Sequence, residues 1–281
     1  MKKLSYLLLF LLSAIVCGCS ETEQPYVGYI VIERAVLDAS ANSTTTITAE
    51  TDLSSPIIME LEEGADWCTV TSKGKEITIT ANSANTDSNY RTATVNVRCG
   101  YRETSFTVLQ KYDGQEYLQY DWTRWTATGN GVESSDGGGY PSLFTEDRTT
   151  FWHSQYSGNP PSLPYWIIVD MKEVLDIAKF DIGRRHYAPS GANYATVKTM
   201  NIYASTDNEN FTQVGSFTFQ LPWTAPDGTV VTGATSPLIP GYEEVIPSQP
   251  VTARYIKLEI TETNMSNNAC QVSYFKAYEK I

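Results

Sequence analysis

The chain has 281 residues and a formal net charge of -12, with 18 Tyr and 6 Trp among its side chains. This acidity argues against a nucleic-acid or anionic-lipid partner, since both require a basic footprint. Neutral glycans and proteins remain as partners, and the length is more than one core comfortably fills, so two domains are expected.

Lys2 and Lys3 lead an apolar run from Leu4 to Val16, which breaks at Val16-Cys17-Gly18-Cys19-Ser20. A charged start, an apolar core and small residues at a cut site describe a secretory signal. The run is too short to cross roughly 30 Å of hydrocarbon as a helix. The Gly18-Cys19 step resembles the lipobox of bacterial lipoproteins, where signal peptidase II cuts before a cysteine that becomes acylated. The resemblance implies a signal peptide over 1–18, lipid attachment at Cys19, a tether over 19–25 and a membrane reached through the lipid anchor. Several acyl chains at about 0.8 kcal/mol per buried CH₂ make that anchor durable. The acidic stretch Ser20-Glu21-Thr22-Glu23-Gln24-Pro25 is similar to the segment behind the acylated cysteine in Bacteroidetes surface lipoproteins, which implies the outer membrane and its exposed face.

Beyond Cys19 the chain keeps Cys68, Cys99 and Cys270, with no metal-like spacing. Cys68 and Cys99 fall in one predicted domain and either pair in an oxidising compartment or stay as buried thiols.

From Tyr26 to Lys111 the pattern has period two. Ile77 and Ile79 alternate with threonines, Ala93, Val95 and Val97 with polar residues, and Phe106 and Val108 repeat it, with Gly64, Gly74 and Gly100 as turns between. Short strands in this number predict an immunoglobulin-like β-sandwich. Trp67, Ile77 and Ile79, Asn85 six residues before Arg91, the strand Thr92 to Val97 and a closing Val108-Leu109-Gln110 resemble the BACON domain over residues 26–111. Trp67 reads as core beside Cys68 and Val70, nothing lines up as a binding constellation, and the domain reads as a spacer. Residues 112–119 read as a linker.

Residues 120–281 are again strand-like. Ile167-Ile168-Val169 is a short apolar run, Phe180 and Ile182 alternate, and Tyr255 to Ile260 alternate cleanly. Strands with long polar loops predict a jelly-roll sandwich, so the fold class is all-β throughout. The motifs Trp125-Thr126-Ala127-Thr128, Thr150-Phe151-Trp152-His153-Ser154, Tyr165 to Met171, Ile202 to Phe211, Arg254 to Leu258 and Val272 to Tyr278 together resemble the factor V/VIII type C, or discoidin, domain. Asn208 stands where the family has a turn glycine, a place Asn tolerates. Trp152, Trp166, Phe180 and Phe211 are expected in the core.

The resemblance implies a binding module, and bacterial members are often family 32 carbohydrate-binding modules. Sugar recognition needs an aromatic face for the pyranose C–H face and planar or charged groups for its hydroxyls. Loop side chains of both kinds are present: Trp223 at the start of a Gly/Pro/Thr-rich stretch, then Arg185, His153, Tyr156, His186, Tyr187 and Asn264 as carbohydrate contacts, with Gln155, Asn193, Tyr194, Asn267 and Asn268 nearby. The family also implies a structural calcium, held by an Asp-Gly-Asp/Asn loop and a glutamate of the last strand. Here that loop reads Thr145, Glu146, Asp147 and then Thr150, with Tyr274 in place of the glutamate. The candidate metal ligands are Glu146, Asp147 and Thr150, although calcium wants about six to eight oxygens. No cofactor is required for binding.

Two histidines, no nucleophile motif and no His/Glu metal spacing argue against an enzyme. A glycosidase would further need two carboxylates across a cleft. The expected function is non-catalytic glycan capture at the cell surface, alongside other glycan-uptake proteins. The alternative is an adhesin that binds a protein through the same loops.

Overall fold

The computed structural model describes residues 27–185, 196–233 and 236–281. The signal peptide, Cys19 and the acidic tether lie outside the described residues. The chain divides into two compact units, one ending at Asp113 and the other starting at Gly114. Both are built from strands, with one short 3-10 turn, Tyr140–Phe144, in the second.

In the first unit a four-stranded sheet runs in the order Ala35–Leu37, Arg102–Gln110, Arg91–Cys99, Ile57–Leu61. A three-stranded sheet runs Thr44–Thr48, Glu76–Ala81, Cys68–Lys73. Successive side chains of a strand point to opposite faces, so Ala93, Val95, Val97 and Cys99 of one sheet meet Ile77, Ile79 and Ala81 of the other in a single core. The strands Arg91–Cys99 and Arg102–Gln110 turn through Gly100-Tyr101, where Gly100 takes the positive φ of 60° that a two-residue hairpin demands. Cys68 and Cys99 are buried, free thiols.

The residues that signal this domain in sequence form one polar lock. Gln110 is fully buried, and its Nε2 donates to the carbonyls of Asp38 and Ala39, both at 3.1 Å. Its Oε1 accepts from Arg91 Nε at 2.9 Å and Nη2 at 2.7 Å. Asn85 Nδ2 reaches the Lys111 carbonyl at 3.2 Å, and the Arg91 guanidinium lies 4.7 Å from the centre of the Trp67 ring. Trp67 is half-buried against the core under that arginine, so its face is taken. Buried polar groups with this many partners fix the strand ends and offer a ligand little.

The second unit packs a five-stranded sheet against a four-stranded one. The first has the order Thr126–Gly129, Tyr165–Ile177, Val251–Thr263, Val197–Ser205, Thr212–Thr218. The second has Tyr117–Gln119, Phe275–Lys280, Lys179–Gly183, Tyr242–Val245. Tyr117–Gln119 therefore belongs to this sandwich and not to a linker: it pairs with Tyr278–Lys280. Trp152, Phe180, Phe275, Ile167, Ile256 and Leu258 lie in the core between the sheets.

Two core assignments change, the first by parity. Ile167 and Val169 are fully buried, so Trp166, their odd neighbour, faces outward and is only half-buried; Phe211 is half-buried as well. Asn208 does take the left-handed conformation, φ 64°, in a turn capped by Asp207, whose carboxylate accepts from the amides of Glu209 at 2.9 Å and Asn210 at 2.8 Å.

Candidate functional site

The register decides which segments share an end of the second sandwich. Tyr165 pairs with Ile260, Val197 with Thr263, Thr199 with Thr218, Gly183 with Tyr242, and His153 with Gln271. The connections after His153, Gly183, Thr218 and Thr263 consequently leave from one end. Display of variable side chains on loops held by a rigid sandwich is a common basis for recognition.

Two clusters form there. In the first, the Arg185 guanidinium lies 4.0 Å from the centre of the Phe151 ring. Phe151 is 6.2 Å from His153, and His153 meets Tyr156 edge-on at 4.9 Å. Tyr156 is 52% exposed whereas His153 is 6% exposed, so the tyrosine is the accessible face and the imidazole its support. His153 Nδ1 donates to the Ser154 carbonyl at 2.6 Å.

Glu133 holds this cluster from beneath. Its carboxylate accepts from Ser135 Oγ at 2.7 Å and from the amides of Ser157 at 3.1 Å and Tyr156 at 3.4 Å. Its own amide donates to the His153 carbonyl at 2.9 Å. The Ser135 hydroxyl, followed by the bonds from Ser157 and Tyr156, lowers the acid to about 2, so it is ionised at neutral pH. Sequence reading missed Glu133, because a single glutamate in a polar loop carries no motif.

In the second cluster Trp223 lies 6.2 Å from Phe219, which is itself under the Arg184 guanidinium at 4.0 Å. Trp223 is half-buried and belongs to a small strand pair, with Trp223 opposite Val231. The Asn264 side chain is committed to this loop. Its Nδ2 donates to Phe219 O at 2.8 Å and Thr196 Oγ1 at 3.1 Å, and its Oδ1 accepts from the Leu221 amide at 3.1 Å. Asn264 therefore acts as a loop tie, with both ends of its amide used. His186 and Tyr187 lie outside the described residues.

These loops extend from a sandwich whose sequence matches the F5/8 type C domain model over residues 125–275, more than half of the chain. The chain belongs to the F5/8 type C family. Residues 58–111 of the first unit match the BACON model, described as an N-terminal binding domain.

Solved structures resembling the chain include the C-terminal domain of a chitobiase from Bacteroides fragilis, at 24% identity and TM-score 0.42, covering 58% of this chain and 99% of that one. A family 32 carbohydrate-binding module of Clostridium perfringens, solved with galactose, is 17% identical with TM-score 0.43, covering 58% and 99%. A SusE-like protein is 15% identical with TM-score 0.46, covering 90% and 97%.

In the F5/8 type C unit the side chains of Glu146, Asp147 and Thr150 each have a partner within the protein. Glu146 Oε1 accepts from Lys276 Nζ at 2.6 Å. The Asp147 carboxylate accepts from the Thr149 amide at 2.9 Å and hydroxyl at 2.6 Å, while Thr150 Oγ1 donates to the Asp147 carbonyl at 2.9 Å. The two carboxylates serve different partners, and an ammonium stands against one of them. Among the described residues no group of three or more His, Cys, Asp or Glu side chains could hold a metal.

Proposed function

We propose that the F5/8 type C unit captures glycan without cutting it, at the end of the sandwich where Tyr156, Arg185 and Trp223 are carried. The observation that supports this most is the Arg185–Phe151–His153–Tyr156 chain, in which an exposed tyrosine meets an imidazole that is linked through a buried phenyl ring to a guanidinium. A pyranose uses such a set: its C–H face covers the ring while planar donors and acceptors meet its hydroxyls. Trp223 supplies a second aromatic, with Asn264 holding its loop. The buried carboxylate nearby, Glu133, is occupied by three donors and fixes the loop backbone, which suits a binding role.

In this reading Cys19 carries the lipid, the first unit spaces the second from the outer membrane, and the captured polysaccharide passes to uptake proteins. Single shallow sites of this kind have dissociation constants on the order of 10⁻³ to 10⁻⁵ M, so surface density supplies avidity.

The test is affinity electrophoresis of the Tyr156→Ala and Trp223→Ala variants in gels cast with the polysaccharide that retards the parent protein most. Loss of an aromatic contact worth about 1 kcal/mol weakens binding roughly fivefold. Full retention by both variants, with unchanged melting temperature, contradicts the assignment of the site.

A further inference from the structure

We infer that two side-chain cations, Arg148 and Lys276, do in this chain the cross-linking that a divalent metal would do at loop 145–150. One cation belongs to the loop and reaches carbonyls outside it, and the other comes from the last strand to a loop carboxylate. Arg148 Nε donates to the Arg184 carbonyl at 2.8 Å, and its Nη2 reaches the Arg185 carbonyl at 3.5 Å. One planar guanidinium thereby ties the loop to the segment leaving the strand Lys179–Gly183, and its fork geometry suits two neighbouring carbonyls.

Lys276 makes the second tie, from the last strand to Glu146 at 2.6 Å. Its side chain is 12% exposed, set between the rings of Tyr274 at 5.1 Å and Trp122 at 5.2 Å, whereas Glu146 is 73% exposed. The cation is thus the packed partner and the carboxylate comes to it. Gly241 leaves room for the arginine: a Cβ there would stand 2.7 Å from Arg148 Nη1. The same backbone is gathered further by Ser273, whose Oγ donates to the Arg184 carbonyl at 2.7 Å, and by the Gly241 carbonyl, which accepts the Arg184 amide at 2.8 Å.

Together these contacts join the loop, the Arg184–Arg185 step and the last strand. A dication placed among them would meet a guanidinium and an ammonium, with one Glu146 oxygen already on Lys276 and one Asp147 oxygen already on Thr149. The loop end is therefore set by the chain itself and is indifferent to chelators. Glycan capture, if the proposed function holds, shares that indifference.

The experiment is calorimetry on the protein expressed from Ser20, in EDTA and in excess CaCl₂, together with Arg148→Met, Arg148→Lys and Lys276→Met. A ligand that binds the native state raises its melting temperature, so calcium at a real site would move the transition of the second unit. The expected result is the same transition in both media. Arg148→Met and Lys276→Met each lower it by roughly 2–4 °C, and Arg148→Lys falls between, since one ammonium cannot serve both carbonyls. A transition raised by calcium or lowered by EDTA overturns the inference, as do methionine variants that melt like the parent. Should a variant not fold, the comparison of the two media on the parent protein still decides. None of these readings depends on a glycan.

Discussion

Glu133 and Asp170 are two acids whose ionised forms the second unit holds firmly. Asp170 is gripped by Arg254, Nε to Oδ1 at 2.9 Å and Nη2 to Oδ2 at 3.1 Å, and this pair, with further help from Lys172, lowers it to about 2. Both acids have folded-state values below their unfolded ones of about 4, so their contribution is complete above that value and is lost as pH falls toward 2. Acid titration followed by circular dichroism should therefore show stability declining between about pH 5 and pH 2. Asp170→Asn and Glu133→Gln should each flatten part of that decline and lower stability at neutral pH. Asn264→Ala removes a tie and leaves the Leu221 amide without its acceptor, at a cost of about 1–3 kcal/mol. Urea unfolding checks that cost. At this scale the sequence was a partial guide. Tyr156, Arg185 and His153 are linked in one cluster, and residue type alone did not reveal that the Asn264 amide is already spent on its own loop. Arg148 was missed for the related reason that its partners are carbonyls, which have no sequence signature.

Among the elements, alternation located most strands, because one face of each is packed and the other is not. Thr92 to Val97 and Tyr255 to Ile260 were legible for this reason. Tyr117–Gln119 was not, since three residues are too few to display a period and its place comes from pairing with Tyr278–Lys280. Trp166 was misplaced because it adjoins the apolar run Ile167-Ile168-Val169, where hydrophobicity hides parity. The two tryptophans should behave differently as a result. Trp152 is fully buried, and Trp152→Ala should cost about 3–5 kcal/mol. Trp166, on the outer face, should cost distinctly less in the same denaturation experiment. The stretch read as a long Gly/Pro/Thr loop contains the small pair Trp223–Thr224 and Val230–Val231, closed by a turn at Gly228, φ 86°. That hairpin was invisible to periodicity, as two-residue strands must be.

For the whole molecule, composition bounded the function before any site was considered. A net charge of -12 with abundant Tyr and Trp favours uncharged, stackable ligands over polyanions. Attraction of this kind carries little Coulombic component, so retardation by a neutral glycan should change little between low and high salt, whereas binding of a charged partner would weaken. Two strand-rich segments were separable in sequence because each carries its own turns, apolar alternation and family motifs. The end of the second sandwich that bears the loops could be found only from the register, since residues 153, 185, 223 and 264 are far apart in sequence. The central claim is that this end holds sugar. Its most direct test is affinity electrophoresis of the protein expressed from Ser20 against a panel of neutral host and plant polysaccharides. Clear retardation by at least one class, unchanged in high salt, is expected. Retardation by none, with a protein partner recovered from envelope extracts instead, would contradict it.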